Sequence, residues 1–127
     1  MGWHSIKRDP ADIDFSRWLR LRKKKCEKCG RRGTGIDGIT GLEASHFHGR
    51  AKWTTRFDVD NVDVLCTSDH MYFTSHKTEY EEWKLKKLGR RKYNILELES
   101  NTTGKKDFKL QRLIWSKMLK DLKEQLK

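Results

Sequence analysis

A CEKC pair, Cys26 and Cys29, followed well downstream by Cys66 with Asp69 and His70 close behind it, constrains this chain more than any other feature. Three cysteines cannot all pair with one another, so the pattern points to metal binding in a reducing compartment rather than to a disulfide framework. Two knuckles brought together would place three thiolates around a tetrahedral ion, and zinc suits that donor set best. Asp69 and His70 are both chemically acceptable as the fourth ligand. A C-x2-x spacing selects Asp69 and a C-x3-x spacing selects His70; Asp69 is the preferred reading and leaves His70 free to point elsewhere. Gly30 and Gly33 permit the tight turn that the first knuckle requires.

A metal would help such a chain hold together. Its 127 residues suffice for one domain with a modest core, and charged residues (37%) outnumber hydrophobic ones (35%). The formal net charge of +11 favours a polyanionic partner. Lysine and arginine crowd two runs, Arg17 to Arg32, which holds Lys23 and Lys24, and Lys84 to Lys92, which holds Arg90 and Arg91. No stretch approaches the roughly 20 apolar residues needed to span a bilayer, and the N-terminus lacks the apolar core of a secretory signal. The expected setting is the cytoplasm, with no membrane partner.

Along the chain, residues 1–14 are polar, carry the only proline and read as an arm. A helix capped by Asp14 or Ser16 is expected through FSRWLRLRKK, burying Phe15, Trp18 and Leu19. The glycine-rich stretch from Gly33 to Gly41 reads as a loop into a short strand, Ile39 to His46. Aromatic and β-branched residues from Ala51 predict a second strand, a turn at Asp58, Asp60 and Asn61, and a return into Cys66. A helix from Ser68 or Asp69 to Gly89, interruptible at Ser75, follows, and 99–106 reads as a linker. Beyond it, 107–127 forms one amphipathic helix with a broad apolar stripe from Phe108 to Leu126.

Between the knuckles, His46 and His48 share one face of an extended strand, with Arg50 and Arg56 nearby as positive charge. His46 with His70 would suffice for hydrolysis if one activates water and the other holds a divalent ion against a phosphate.

The run SHFHGRAKWTTRFDVDNVDVLCTSDHMYF resembles the His-Asn-His (HNH) endonuclease superfamily, and within it the phage NinG/Rap-type recombination nucleases. The resemblance covers roughly 15–98. It implies an α+β fold, a small ββα-metal core with zinc knuckles and flanking helices, and a zinc-stabilised nuclease domain over 15–98. It further implies a metal-dependent DNA endonuclease that hydrolyses phosphodiester bonds, with a preference for Holliday junctions or other branched intermediates. In that pattern His46 matches the base that deprotonates water, Asn61 the residue that orders the loop opposite it, and His70 the ligand of a catalytic Mg²⁺ or Mn²⁺, with Ni²⁺ also compatible. Cys26, Cys29 and Cys66 match structural zinc ligands. The chain departs from the pattern where Asp69 stands in place of a fourth cysteine and where Ser45 replaces an aspartate before the base. Two repairs of the second gap remain: His70 holds the ion with phosphate and water, or His46 ligates and His48 is the base. The first is preferred. Arg50, Arg56, Lys23, Lys24, Arg90 and Arg91 are the expected DNA contacts. The competing reading is a catalytically silent zinc-containing DNA-binding module. If the C-terminal stripe is not buried within its own domain, a second copy of the chain is the further expected partner, and a two-fold dimer would suit a symmetric four-way junction.

Overall fold

The computed structural model describes residues 7–127, so the expected arm lies outside the described residues up to residue 6. Helix α1 (Pro10–Lys23) begins ahead of the Asp14 or Ser16 start read from the sequence. The reason is local. Asp9 accepts from the Ala11 amide at 2.9 Å, and the Asp12 carboxylate accepts from the Asp9 amide at 2.8 Å, a reciprocal cap. Pro10 fills the first helical position, where its missing N–H costs nothing. Lys24 ends the helix in the left-handed region at φ 56°. Phe15, Trp18 and Leu19 are buried as expected, and the Arg22 guanidinium lies over the Trp18 ring at 4.5 Å.

The CEKC turn follows, with the Gly30 amide donating to the Cys26 carbonyl at 2.9 Å and Gly30 at φ +78°, a conformation side chains rarely adopt. Strand β1 (Leu42–His46) then pairs antiparallel with β2 (Val62–Cys66), in a register that sets Glu43 against Leu65 and His46 against Val62. These two strands are the whole sheet among the described residues. The strand expected from Ala51 is instead one helical turn, α2 (Trp53–Arg56). Composition favours extension there, but three tertiary bonds override it. Thr54 donates to the Glu99 carbonyl, the Thr55 carbonyl accepts from Asn61, and Arg56 is drawn onto Asp12.

Helix α3 (Thr67–Ser75) starts directly from the last residue of β2, so Asp69 and His70 fall in its first turn. The interruption foreseen near Ser75 occurs at His76, after which α4 (Lys77–Leu88) runs to Gly89. A further helix absent from the sequence reading, α5 (Arg90–Ser100), precedes the linker. Helix α6 (Phe108–Gln125) packs along α1, with the Trp115 ring 4.5 Å from Phe15 and 5.2 Å from Trp18 between centroids. Only part of its stripe is covered: Trp115 and Leu119 are buried, whereas Leu110, Leu113, Ile114, Met118 and Leu126 are exposed. The whole is an α+β fold, a two-stranded hairpin with flanking helices, and no helix among the described residues is long and apolar enough to cross a membrane.

Two charge pairs are buried in this small core. Arg56 forks onto Asp12, bonding through Nε at 2.9 Å and through Nη2. Asp63 on β2 accepts from Lys84 at 2.8 Å, from Tyr80 at 2.7 Å and from Lys87, while the Tyr80 hydroxyl meets that of Ser45 at 2.9 Å. Asp63 and Lys84 are both fully buried, so each is satisfied only by the other and these neighbours.

Candidate metal centre and adjoining cleft

Four side chains from three separate segments converge beside the hairpin. The donor atoms of Cys26, Cys29, Cys66 and Asp69 all lie within 4.8 Å of one another. Cys29 Sγ is 3.9 Å from Cys66 Sγ, and Asp69 Oδ2 is 3.2 Å from Cys26 Sγ and 3.4 Å from Cys66 Sγ. A tetrahedral zinc ion with bonds of ordinary length has sulfur–sulfur edges of about 3.8 Å and sulfur–oxygen edges of about 3.5 Å. The cluster therefore has the size and donor chemistry to coordinate a metal ion, with Asp69 rather than His70 as fourth ligand. Its protons are in conflict without a cation. The Arg31 amide bond favours the Cys29 thiolate, yet hydrogen bonding to Asp69, burial, Cys26 and Cys66 together push the thiol up to about 11. Glu27 locks the two knuckles together: its amide donates to the Val64 carbonyl at 2.8 Å and its carboxylate accepts from the Val64 amide at 2.7 Å.

On the next helix position, His70 faces elsewhere. Its Nδ1 lies 2.6 Å from Glu43 Oε1, and the other Glu43 oxygen accepts from Thr67 at 3.2 Å. Both side chains are part exposed, and both line a cleft of about 620 Å³ whose wall also includes His46, Arg8, Arg20 and Arg50. Sequence reasoning overlooked Glu43. Its signal was the hairpin register, which sets residue 43 opposite residue 65 and hence beside the start of α3.

His46 borders the same cleft, with Nε2 3.0 Å from the Arg56 carbonyl. A carbonyl only accepts, so Nε2 carries the proton and, in the neutral ring, Nδ1 carries the lone pair. Burial pulls the imidazole down to about 4, outweighing the Arg56 carbonyl, which favours the charged ring. His46 is thus neutral at ordinary pH.

Asn61 is fully buried. Its Oδ1 accepts from the His48 amide at 2.8 Å, and its Nδ2 donates to the carbonyls of His48 at 2.9 Å and Thr55 at 3.0 Å. It thereby ties both ends of the loop that presents the Arg56 carbonyl to His46. His48 itself leaves the cleft, its Nε2 lying 2.9 Å from Glu97 on α5. The reading of His48 as base has no support in this arrangement. Ser45 points into the buried Tyr80–Asp63 network and away from any ion site.

The arginines divide. Arg50 lines the cleft, but Arg56 is 3% exposed with its guanidinium occupied by Asp12. The expectation that Arg56 contacts phosphate is therefore corrected: it is a buried anchor between α2 and α1. Lys23 and Lys24 end α1, and Arg90 and Arg91 open α5; none of the four lines the cleft. Comparison with known proteins finds no matching family model, no similar curated protein and no similar solved structure.

Proposed function

We propose that this protein is an HNH-type, divalent-metal-dependent DNA endonuclease, acting on phosphodiester bonds of branched recombination intermediates. One observation carries the reading: a neutral histidine with a free Nδ1 lone pair borders the same basic cleft as a histidine–carboxylate pair. The succession of β1, β2 and α3, with the cluster of three cysteines and Asp69 at its base, agrees with a ββα-metal core stabilised by structural zinc.

In this mechanism His46 takes a proton from water at Nδ1 as the water attacks phosphorus, and the Arg56 carbonyl stabilises the imidazolium through Nε2. Glu43 and His70 would hold Mg²⁺, Mn²⁺ or Ni²⁺ once the proton between His70 Nδ1 and the Glu43 carboxylate is displaced, Glu43 supplying the second ligand that Ser45 does not. An ion held there supplies charge neutralisation at the phosphate and the leaving oxygen. Arg50 clamps a nonbridging oxygen, and Asn61 keeps the base in place through the loop. The exposed edge of α6 serves as a dimer contact that matches a two-fold junction. Sedimentation of the free protein checks this, a strictly monomeric species at all concentrations counting against it.

The decisive test is cleavage of supercoiled plasmid and a synthetic four-way junction by metal-depleted protein resupplied with Mg²⁺ or Mn²⁺, beside His46→Ala. Ion-dependent cleavage, lost in the variant while DNA binding persists, is the expected result. The thiolate–carboxylate cluster taken alone favours a plainer second reading, a metal-stabilised DNA-binding module without chemistry. That reading expects binding without cleavage and no change on removing His46.

A further inference from the structure

Three arginines of this protein end on aspartates: Arg17 on Asp37, Arg56 on Asp12 and Arg112 on Asp9. The three that line the cleft do not. Among the described residues, Arg8, Arg20 and Arg50 have no carboxylate within ion-pair distance; Arg8 lies close enough to both of the others to repel them, while Glu43 attracts Arg20 and Asp12 attracts Arg50 from further off. Arg20 is half-buried, and its Nε is fixed by the Ser16 carbonyl at 3.2 Å and hydroxyl at 3.1 Å, which leaves both Nη groups uncommitted. Arg50 has Nη1 buried with no hydrogen-bond partner among the described residues. Two carboxylates share the wall, but Asp12 is taken by Arg56 and Glu43 faces His70, so the three guanidiniums leave a positive excess that an anion would complete.

We infer that Arg8 and Arg20, which line the cleft together with Arg50, form a phosphate-binding subsite for a nucleic-acid backbone phosphate adjacent to the one beside His46. The inference rests on the nucleic-acid reading but not on hydrolysis. Arg20 supplies a pre-oriented fork, suited to paired contact with two phosphate oxygens. Arg8, just ahead of the capped start of α1, lines the same cleft. The role of α1 is then to fix the strand relative to the reacting phosphate, not to take part in the reaction.

The test uses the full chain, loaded with zinc, and a fluorescein-labelled DNA duplex. Binding is followed by anisotropy across a salt series for wild type, Arg8→Met, Arg20→Met, the double variant, and a control, Lys120→Met with Lys123→Met on α6. Each lost phosphate contact lowers the slope of log K against log salt by about 0.9, so the double variant should lose nearly two and Arg8→Met alone nearly one. The control should keep the wild-type slope. Because Arg8 is exposed, its single variant reads out the subsite even if Arg20→Met fails to fold. Hydrolysis supplies the second arm. Bis(4-nitrophenyl) phosphate has no neighbouring phosphate, so its turnover should stay within about twofold in the double variant, whereas kcat/KM on DNA should fall about tenfold or more. An unchanged salt slope overturns the subsite, as does an equal loss on both substrates, which would put the arginines at the reacting phosphate. If wild type cleaves neither substrate, the nuclease reading fails while the salt slopes still decide the subsite.

Discussion

Asp63→Asn removes one charge from the centre of the protein and nearly nothing from its volume. In the native fold Asp63 faces Lys84, and both are completely buried. Burial already pulls Lys84 down against the upward pull of Asp63. Without the carboxylate, the ammonium has no bonded counter-charge and only Glu27 attracts it from further off, and orphaning one half of a buried pair costs about 3–5 kcal/mol. The cost also has a ceiling. A lysine of ordinary value near 10.4 gives up its proton at pH 7 for about 4.6 kcal/mol, so the fold loses at most roughly that much by burying Lys84 neutral. At about 4 °C per kcal/mol for a chain of this size, the thermal midpoint should fall by about 12–18 °C. The sign with pH follows: the unfolded variant binds the proton more readily than the folded one, so its stability must rise with pH up to the ordinary lysine range. Replacing both residues, Asp63→Leu with Lys84→Met, should recover most of the loss, since Lys87 keeps Glu27 and Tyr80 keeps Ser45 as partners. Thermal melts from pH 6 to 9 measure all three. A single variant within about 1 kcal/mol of wild type, or one whose stability falls as pH rises, would refute the reasoning.

Three further outcomes follow from the site and its supports. Purified protein should carry zinc, with Asp69→Ala releasing it to a competing chelator at least tenfold more readily and Asp69→Cys holding it more tightly; equal retention in all three would remove Asp69 from the ligand set. Because His46 is held near 4, below its unfolded value of 6.5, its contribution to stability is whole above about pH 6.5 and is lost as pH falls toward 4. Cleavage limited by the same group should rise with pH through about 4 and be level above it, and a rate inflection near 6.5 would contradict the buried neutral ring. Arg56→Met should cost about 3–5 kcal/mol in denaturant melts by stranding Asp12. The salt dependence of its DNA affinity should stay unchanged, where a phosphate contact would reduce it.

What the sequence disclosed follows from the range of the interactions involved. The ligand pattern of Cys26, Cys29, Cys66 and Asp69 was legible because metal-binding turns impose short fixed spacings, and the return strand into Cys66 because β-branched residues bounded by polar ones are a local signal. The start of α1 was carried by Asp9, Pro10 and Asp12, an available cap passed over in favour of the apolar run that follows. The turn at Trp53–Arg56 was hidden for a different reason, since the residues that make it helical, Asp12 and Glu99, lie more than 40 positions away on either side. The same holds for the cleft. Glu43 and His70 meet only through the hairpin register, and no local feature distinguishes the buried Arg56 from the accessible Arg50.

The cluster of Cys26, Cys29, Cys66 and Asp69 also acts on the chain as a polymer. Its two halves are 37 residues apart between Cys29 and Cys66, and the loop they enclose contains all of β1, Glu43, His46 and Arg50. By analogy with a covalent cross-link over such a loop, an ion held on these four side chains removes about 4 kcal/mol of freedom from the unfolded chain. The ring so closed is the segment that shapes the cleft, while His70 sits one residue past its clasp at Asp69. With an ion on these ligands, its loss would loosen the floor of the cleft before any contact within the cleft had changed, and assembly would run metal first, cleft second.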